Sequence, residues 1–417
     1  MSTKRYDVII VGIGGGSLVL AFLLASKGHK VAVFEKGSQP VFYHRGEIIQ
    51  PYTIQILEQM GLLPDLIKEE HHRFHQVHFY KTTGQPLCTS DYQSLEAPHP
   101  YGLVMAPENL IRVLLQSAEA KGVDLFWESE FQSVLWEGKR VIGVSVSCKR
   151  ELITVHAPIV VGSDGGRSNV REAFGIAARI HSYSGCFLTM GLPCPPALGN
   201  ALRYYVGKGI NMGIFPVSTS LLYLLYMVPV HRIKLLYNAG VSSFKQRLLS
   251  FNPALRDLMT ASLSGLSKWD QTSFAQSFKV TCHHWVVDGG VLIGDAAHAM
   301  NPHTANGRNS AIQDAVVLSH VLDESFRKGD FSHRMLSHYE AVRRPDVTVL
   351  QRMGDEMAWV WETEWPPMVF LRDRIFSSLG RRPKLMGKFV STVSGVKIEP
   401  FTLSDRIETL FYSLLPQ

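Results

Sequence analysis

Cysteine is scarce and unpatterned in this 417-residue sequence: Cys88, Cys148, Cys186, Cys194 and Cys282 are scattered, and none makes a C-x-x-C pair. Neither a zinc knuckle nor a redox dithiol is indicated, and irregular spacing suits free thiols in a reducing compartment. Long apolar runs are missing too. The most apolar stretch, Gly213 to Val230, is interrupted by Pro216, Ser218, Thr219, Ser220 and Pro229, and falls short of the roughly 20 apolar residues of a spanning helix. The N-terminal run lacks a small-residue cleavage site, so no signal peptide is read and a cytoplasmic protein without a transmembrane segment is expected. No Lys/Arg block is longer than two residues, so a net charge of +6 is no nucleic-acid signature. It suits anionic small ligands, acidic substrates or a membrane surface. Repeats and low-complexity tracts are absent. What is present, 46% hydrophobic and 19% charged residues, builds a large core spread over two or three domains.

The apolar β-branched run Asp7 to Val11 predicts a buried strand, Leu18 to Lys27 a helix stopped by Gly28, and Val31 to Glu35 a second strand. That is a βαβ unit. Helices are expected over Thr53 to Leu63 and Pro107 to Ala120, and strands within Val77 to Ser90 and near Tyr101. A hairpin is expected over Phe126 to Val146, turning at Glu137-Gly138, and a buried strand over Pro158 to Val161. Phe187 to Phe278 is rich in short β-type runs and reads as a mostly antiparallel layer with one helical patch near Ser243 to Met259. Val291 to Ile293 restores a buried strand, a long helix follows from about Ser310 to Arg327, and the region from Tyr339 reads as helix broken by prolines 345, 366, 367 and 383.

Three motifs carry chemistry. In Val11-Gly12-Ile13-Gly14-Gly15-Gly16-Ser17, Gly12 permits a tight turn and Gly14 lets backbone approach a pyrophosphate seated on the helix N-terminus. Ser17 stands at the third fingerprint position. Glu35, with Lys36 beside it, ends the second strand where a ribose diol would be held, which favours FAD or NAD over a 2′-phosphate. The second motif is Gly290-Val291-Leu292-Ile293-Gly294-Asp295-Ala296-Ala297-His298, continuing through Pro302-His303-Thr304-Ala305-Asn306-Gly307-Arg308-Asn309. Here the chain resembles the group A flavoprotein monooxygenases, the family of para-hydroxybenzoate hydroxylase. The resemblance implies that Asp295 holds the ribityl chain of FAD, and that the loop Pro302 to Gly307, with Asn309, lies along the flavin ring. The third motif, Val161-Gly162-Ser163-Asp164-Gly165 to Arg171, is similar to the family's Asp-Gly motif near the pyrophosphate. Arg45 resembles the family arginine that reaches the cofactor, Gly213-Ile214-Phe215-Pro216 a strand beside the ring, and the stretch from Trp365 the end of ubiquinone-biosynthesis hydroxylases.

The architecture this implies is α/β (α+β overall): a Rossmann-like FAD-binding domain from 1–73, 101–180 and 279–345, an interleaved antiparallel β substrate domain from 74–100 and 181–278, and a C-terminal helical region, 346–417. The implied activity is NAD(P)H-driven hydroxylation of an aromatic or quinone-like small molecule by a flavin hydroperoxide, with O2 as co-substrate. Three departures stand out: Pro107 where the family has arginine or glutamine, Ala305-Asn306-Gly307 for Gly-Gln-Gly, and a bulky Arg308 expected to face substrate or a product carboxylate. His303, His44 and Tyr204 are the candidates for a proton acceptor, and Gly213 to Val228 for the pocket wall. The spacing of His71, His72, His75 and His78 suits helix faces, but His78 falls where a strand should begin and no carboxylate or thiol converges, so a wet surface and no metal site is read. Trp359, Trp361, Trp365 and Met357 are weighed between lining a binding groove and packing a C-terminal helix, with packing preferred. A geranylgeranyl-type reductase and a non-catalytic flavin-binding protein are the alternatives. A monomer or homodimer is expected, and Arg372, Arg374, Arg381, Arg382, Lys384 and Lys388 admit peripheral membrane contact.

Overall fold

The computed structural model describes residues 4–39, 47–149 and 151–414. The strands Val8–Val11, Val31–Phe34 and Ile159–Gly162 are buried along their whole length, as strands covered on both faces must be. They form the centre of a sheet ordered Val286–Val287, Gly290–Leu292, Ile159–Gly162, Val8–Val11, Val31–Phe34, Asp124–Phe126. All its pairings are parallel except that of the outermost Val286–Val287. The helix Gly15–Ser26 starts inside the glycine turn rather than at Leu18. Pro107–Ala120 forms as expected, with proline in its first turn.

A second sheet runs Ser273–Cys282, Ala178–Pro193, Leu221–Pro229, Ile210–Pro216, Leu202–Gly207, Gln76–Lys81, Pro86–Asp91. It is antiparallel except where Leu202–Gly207 meets Gln76–Lys81. Its last two strands therefore come from a segment far earlier in the chain, which ties the two sheets together. His71, His72, His75 and His78 lie on or between strands, not on a helix. Each has its own partner: the carbonyls of Glu69, Asn200 and Pro100, and Thr89 Oγ1.

Two expectations are corrected in the helices. The single patch near Ser243 becomes Val230–Leu249, kinked into two helices at Gly240 (φ +82°), and a separate helix Pro253–Ser264, because Asn252 accepts a hydrogen bond from the Leu255 amide and Pro253 opens a new first turn. Pro345 does not break its helix; His333–Trp361 is continuous. Contacts on both flanks hold it, with Tyr339 donating to the Leu292 carbonyl and Gln351 Nε2 donating to the carbonyls of Val280 and Ala299. Pro366 and Pro383, by contrast, begin the helices Pro366–Gly380 and Pro383–Val393. Pro366–Gly380 packs on the edge strand Pro86–Asp91, where a Cβ on Gly380 would stand 2.7 Å from Cys88 Cβ. Arg372 is buried there, bonded to the Gly207 carbonyl and Asp373, so it is not part of the exposed basic surface. No helix among the described residues is long and apolar enough to cross a membrane.

Candidate cofactor and substrate site

The first glycine turn is shaped for something outside the protein. Gly12 has φ +97°, and a Cβ there would stand 2.5 Å from the Ser163 carbonyl oxygen, so the loops after two neighbouring strands are in contact. Gly16 takes the close-packing role, because its Cβ would be 2.6 Å from the carbonyl oxygen of Ala311 in the helix Gly307–Lys328. Ser17, in turn, hydrogen-bonds the Gly14 backbone. Gly14 differs: a Cβ there would meet nothing within 4 Å. Glu35 accepts from the amides of Ile13 and Gly37, both at 2.9 Å, which fixes its carboxylate beside the turn; Lys36 is exposed. No acidic residue occupies the first turn of this helix or of Gly307–Lys328, so both positive ends are left for an anion.

The second motif arrives at the same place. Gly294 has φ +58°, and its amide donates to buried Asp314, which also engages His298 and Arg343. This anchor sets Asp295 at the exposed end of the strand, with Oδ1 3.8 Å from where a Cβ on Gly307 would be. The loop Pro302–Thr304 continues into Ala305, in the left-handed region at φ 52° and ψ 33°. Among the described residues, six buried polar atoms between Asn301 and Gln313 have no partner: Asn301 Nδ2, Thr304 Oγ1, Asn306 Oδ1, Arg308 Nη1, Ser310 Oγ and Gln313 Nε2. Buried polar groups are normally paired, so this concentration fits a polar cofactor edge such as that of FAD.

Other expected residues are placed as follows. Asn309 is spent on protein backbone, accepting from the Gln50 amide and donating to the Ile48 and Ala305 carbonyls, and so braces the loop. Asp164 accepts from Ser168 Oγ and the Val170 amide. Arg45 and His44 lie outside the described residues. Arg308 does not face the substrate side: its Nη2 is 2.9 Å from Glu47 Oε1, and its stem packs over Gly15 at the glycine turn.

Beside the loop is a cavity walled by Phe74, Val77, Phe79, Tyr92, Tyr204, Met357, Trp361 and Phe389, with His303, Thr304 and Ala305 forming its loop side. Met357 and Trp361 thus line a cavity rather than only packing a helix, whereas Trp359 and Trp365 are exposed. The stretch 213–228 backs this wall at second hand, through Phe215, whose ring is 5.1 Å from that of Tyr204. The strand Leu202–Gly207, which supplies Tyr204, lies between Ile210–Pro216 and the cavity-lining strand Gln76–Lys81. Burial pushes the Tyr92 and Tyr204 hydroxyls up, well past their ordinary range. Both stay protonated at neutral pH, and Tyr92 donates to Gln50 Oε1. The signal missed in the sequence was the proximity of Gln50, Tyr92 and the last helices to the loop, which only the fold creates.

A family model described as an FAD binding domain matches residues 5–353. The chain is 29% identical over 343 residues to 6-methylpretetramide 4-monooxygenase of Streptomyces rimosus, covering 82% of this chain and 81% of the relative. It is 28% identical to kynurenine 3-monooxygenase of Salinispora arenicola, covering 84% and 79%. Among solved structures it superposes on p-nitrophenol 4-monooxygenase PnpA of Pseudomonas putida with a TM-score of 0.79 at 19% identity, covering 95% of this chain and all of the other. The overlap with PqsL of P. aeruginosa has a TM-score of 0.77 at 23% identity, covering 87% and 98%; at these identities the likeness shows the fold. With a match that spans most of its length, the chain belongs to the FAD-binding domain family.

Proposed function

We propose that this FAD-dependent monooxygenase hydroxylates a small aromatic or quinone-like molecule held in the cavity beside the loop Pro302–Gly307. One observation carries the reading: His303, Thr304 and Ala305 are at once part of the second motif and one side of an aromatic-walled cavity. Two relatives are, by their names, monooxygenases of 6-methylpretetramide and of kynurenine. When bound, FAD supplies the redox chemistry, taking reducing equivalents from NADH or NADPH and passing them to O2. Gly12, Gly14, Gly15 and Ser17 would hold the pyrophosphate, with Asp164 behind the turn, and Glu35 the adenosine ribose, with Lys36 alongside. Gly294 and Asp295 would hold the ribityl chain, and Pro302, Ala305, Asn306 and Gly307 the ring edge, with Asn309 bracing them. The apolar walls keep water from the reacting centre, and the open N-terminus of Gly307–Lys328 favours negative charge at the ring edge. The test is to screen phenols, quinolones and polyketide aromatics for stimulated NAD(P)H oxidation, and to look for one oxygen atom from labelled dioxygen in the product. Oxidation without labelled product from any compound would refute it.

The last helix gives a second reading of where the protein works. Leu403, Ile407, Phe411 and Leu414 are 72%, 59%, 57% and 65% exposed along one stripe of Leu403–Leu414. Asp405 and Arg406 instead pair with Lys388 and Glu356. Exposed Trp365 and Phe370 and the basic Arg381, Arg382 and Lys384 lie on the neighbouring segment. An outward apolar stripe beside basic residues suits an anionic bilayer surface. Co-sedimentation with phosphatidylserine vesicles should be lost in Phe411→Asp; equal partitioning of both proteins would refute it.

A further inference from the structure

Among the described residues of the cavity wall, His303 is the one group built to accept a proton. Its side chain is 2% exposed, and Nε2 stands 3.2 Å from Glu362 Oε1, itself 6% exposed. The other carboxylate oxygen of Glu362 accepts from Ser184 Oγ at 3.1 Å. The ring is held between Phe187 and Trp361, with centroids 5.4 and 4.9 Å away, and its backbone amide donates to Asn301 Oδ1. A carboxylate at Nε2 selects the tautomer with the proton on that nitrogen, leaving the Nδ1 lone pair as acceptor. Nδ1 has no hydrogen-bond partner among the described residues. Across the cavity, Tyr92 donates to Gln50 Oε1 and burial keeps both Tyr92 and Tyr204 protonated. Behind Glu362 lie Tyr183, bonded to Asp355 with Lys279, and Cys186, whose thiol burial and then Glu362 push up to about 11. None of these is a competing base at neutral pH.

We propose that His303, held in place by Glu362, removes the proton from a hydroxyl carried by the aromatic substrate, which makes phenols the substrate class. This rests on the monooxygenase reading above. The O–H bond breaks, its electron pair stays on oxygen, and an N–H bond forms at Nδ1. The resulting phenolate is an electron-rich ring ready for oxygen transfer, and Glu362 stabilises the imidazolium. No electron leaves in this step, and the proton returns to the product oxygen or to water. His303 is the catalytic residue and Glu362 a positioning residue.

The test uses FAD-loaded protein and 4-nitrophenol, whose ionised form is coloured, titrated against pH as a difference spectrum without NAD(P)H. In the wild type the bound phenol should ionise about tenfold more readily than it does free. That gain should vanish in His303→Gln and shrink in Glu362→Gln, with both variants checked for unchanged melting and FAD content. With a turned-over phenol, His303→Gln should lower kcat about 100-fold and remove the acidic limb of the kcat/KM profile, whereas Glu362→Gln should displace that limb. Identical colour titrations in wild type and His303→Gln, or no binding of 4-nitrophenol, would overturn the proposal. A colour shift that depends on His303 but is never accompanied by oxygen in a product would instead overturn the monooxygenase reading.

Discussion

Replacing Asp314 with asparagine should both destabilise the fold and loosen the cofactor site. Asp314 is fully buried, and its oxygens engage the Gly294 amide, His298 Nε2 and Arg343 Nε at 3.0, 2.6 and 2.9 Å. Burial alone would push its carboxyl up, but His298, Arg343 and the Gly294 amide together outweigh burial and hold it down to about 2. Against 3.8 for an ordinary aspartate, this depression contributes about 2 kcal/mol at neutral pH. Because the folded value lies below the unfolded one, that stability is complete above roughly pH 4 and is lost as pH falls towards about 2. The substitution also takes from Arg343 its buried carboxylate partner, leaving it the 41% exposed Asp346 at 2.9 Å and the Ser310 carbonyl at 3.5 Å, so the full cost at neutral pH should be about 3–4 kcal/mol. Urea unfolding followed by circular dichroism, at neutral pH and again near the acid limit, measures it. The gap between wild type and Asp314→Asn should narrow in acid, and FAD affinity should drop because Gly294 and Asp295 lose their anchor. A gap under about 1 kcal/mol at neutral pH, or one that does not change with pH, would refute the reasoning.

Ala305 sits in the left-handed region at φ 52°, so Ala305→Gly should stabilise by about 0.5–1 kcal/mol in urea unfolding; a loss of stability would contradict this. The Arg308 stem packs over Gly15 and its buried Nη1 has no partner among the described residues, and Arg308→Met should weaken FAD binding about tenfold and flatten its salt dependence, read by fluorescence titration at two salt concentrations. Burial pushes the Cys186 and Cys282 thiols up to about 11, so neither should be alkylated at neutral pH until the chain unfolds, as peptide mapping would show.

The parallel core was readable because its strands are short, continuously apolar and followed by glycines whose backbone geometry nothing else supplies. The fold class follows from those runs, and so did the meeting of the Gly12–Ser17 and Gly294–Gly307 segments, since two distant motifs called for one ligand. Less was readable where the controlling contact is distant. Pro345 looked like a break, yet Tyr339 and Gln351 anchor its helix on both sides. Arg308 looked like a substrate contact because its neighbour Glu47 comes from a segment about 260 residues away. Glu362 gave no sign of its bond to His303, because only the packing of His333–Trp361 against the loop brings them together.

Binding of FAD by Gly14→Val tests most directly whether the two motifs grip one cofactor. Gly14 has φ −161°, open to any residue, and a Cβ there touches nothing within 4 Å, so the variant should fold and melt like the wild type. If a pyrophosphate lies against this turn, the added side chain should weaken FAD binding by about 100-fold or more, and Asp295→Ala should weaken it at the other end. A Gly14→Val protein that takes up FAD stoichiometrically with wild-type affinity would contradict the account.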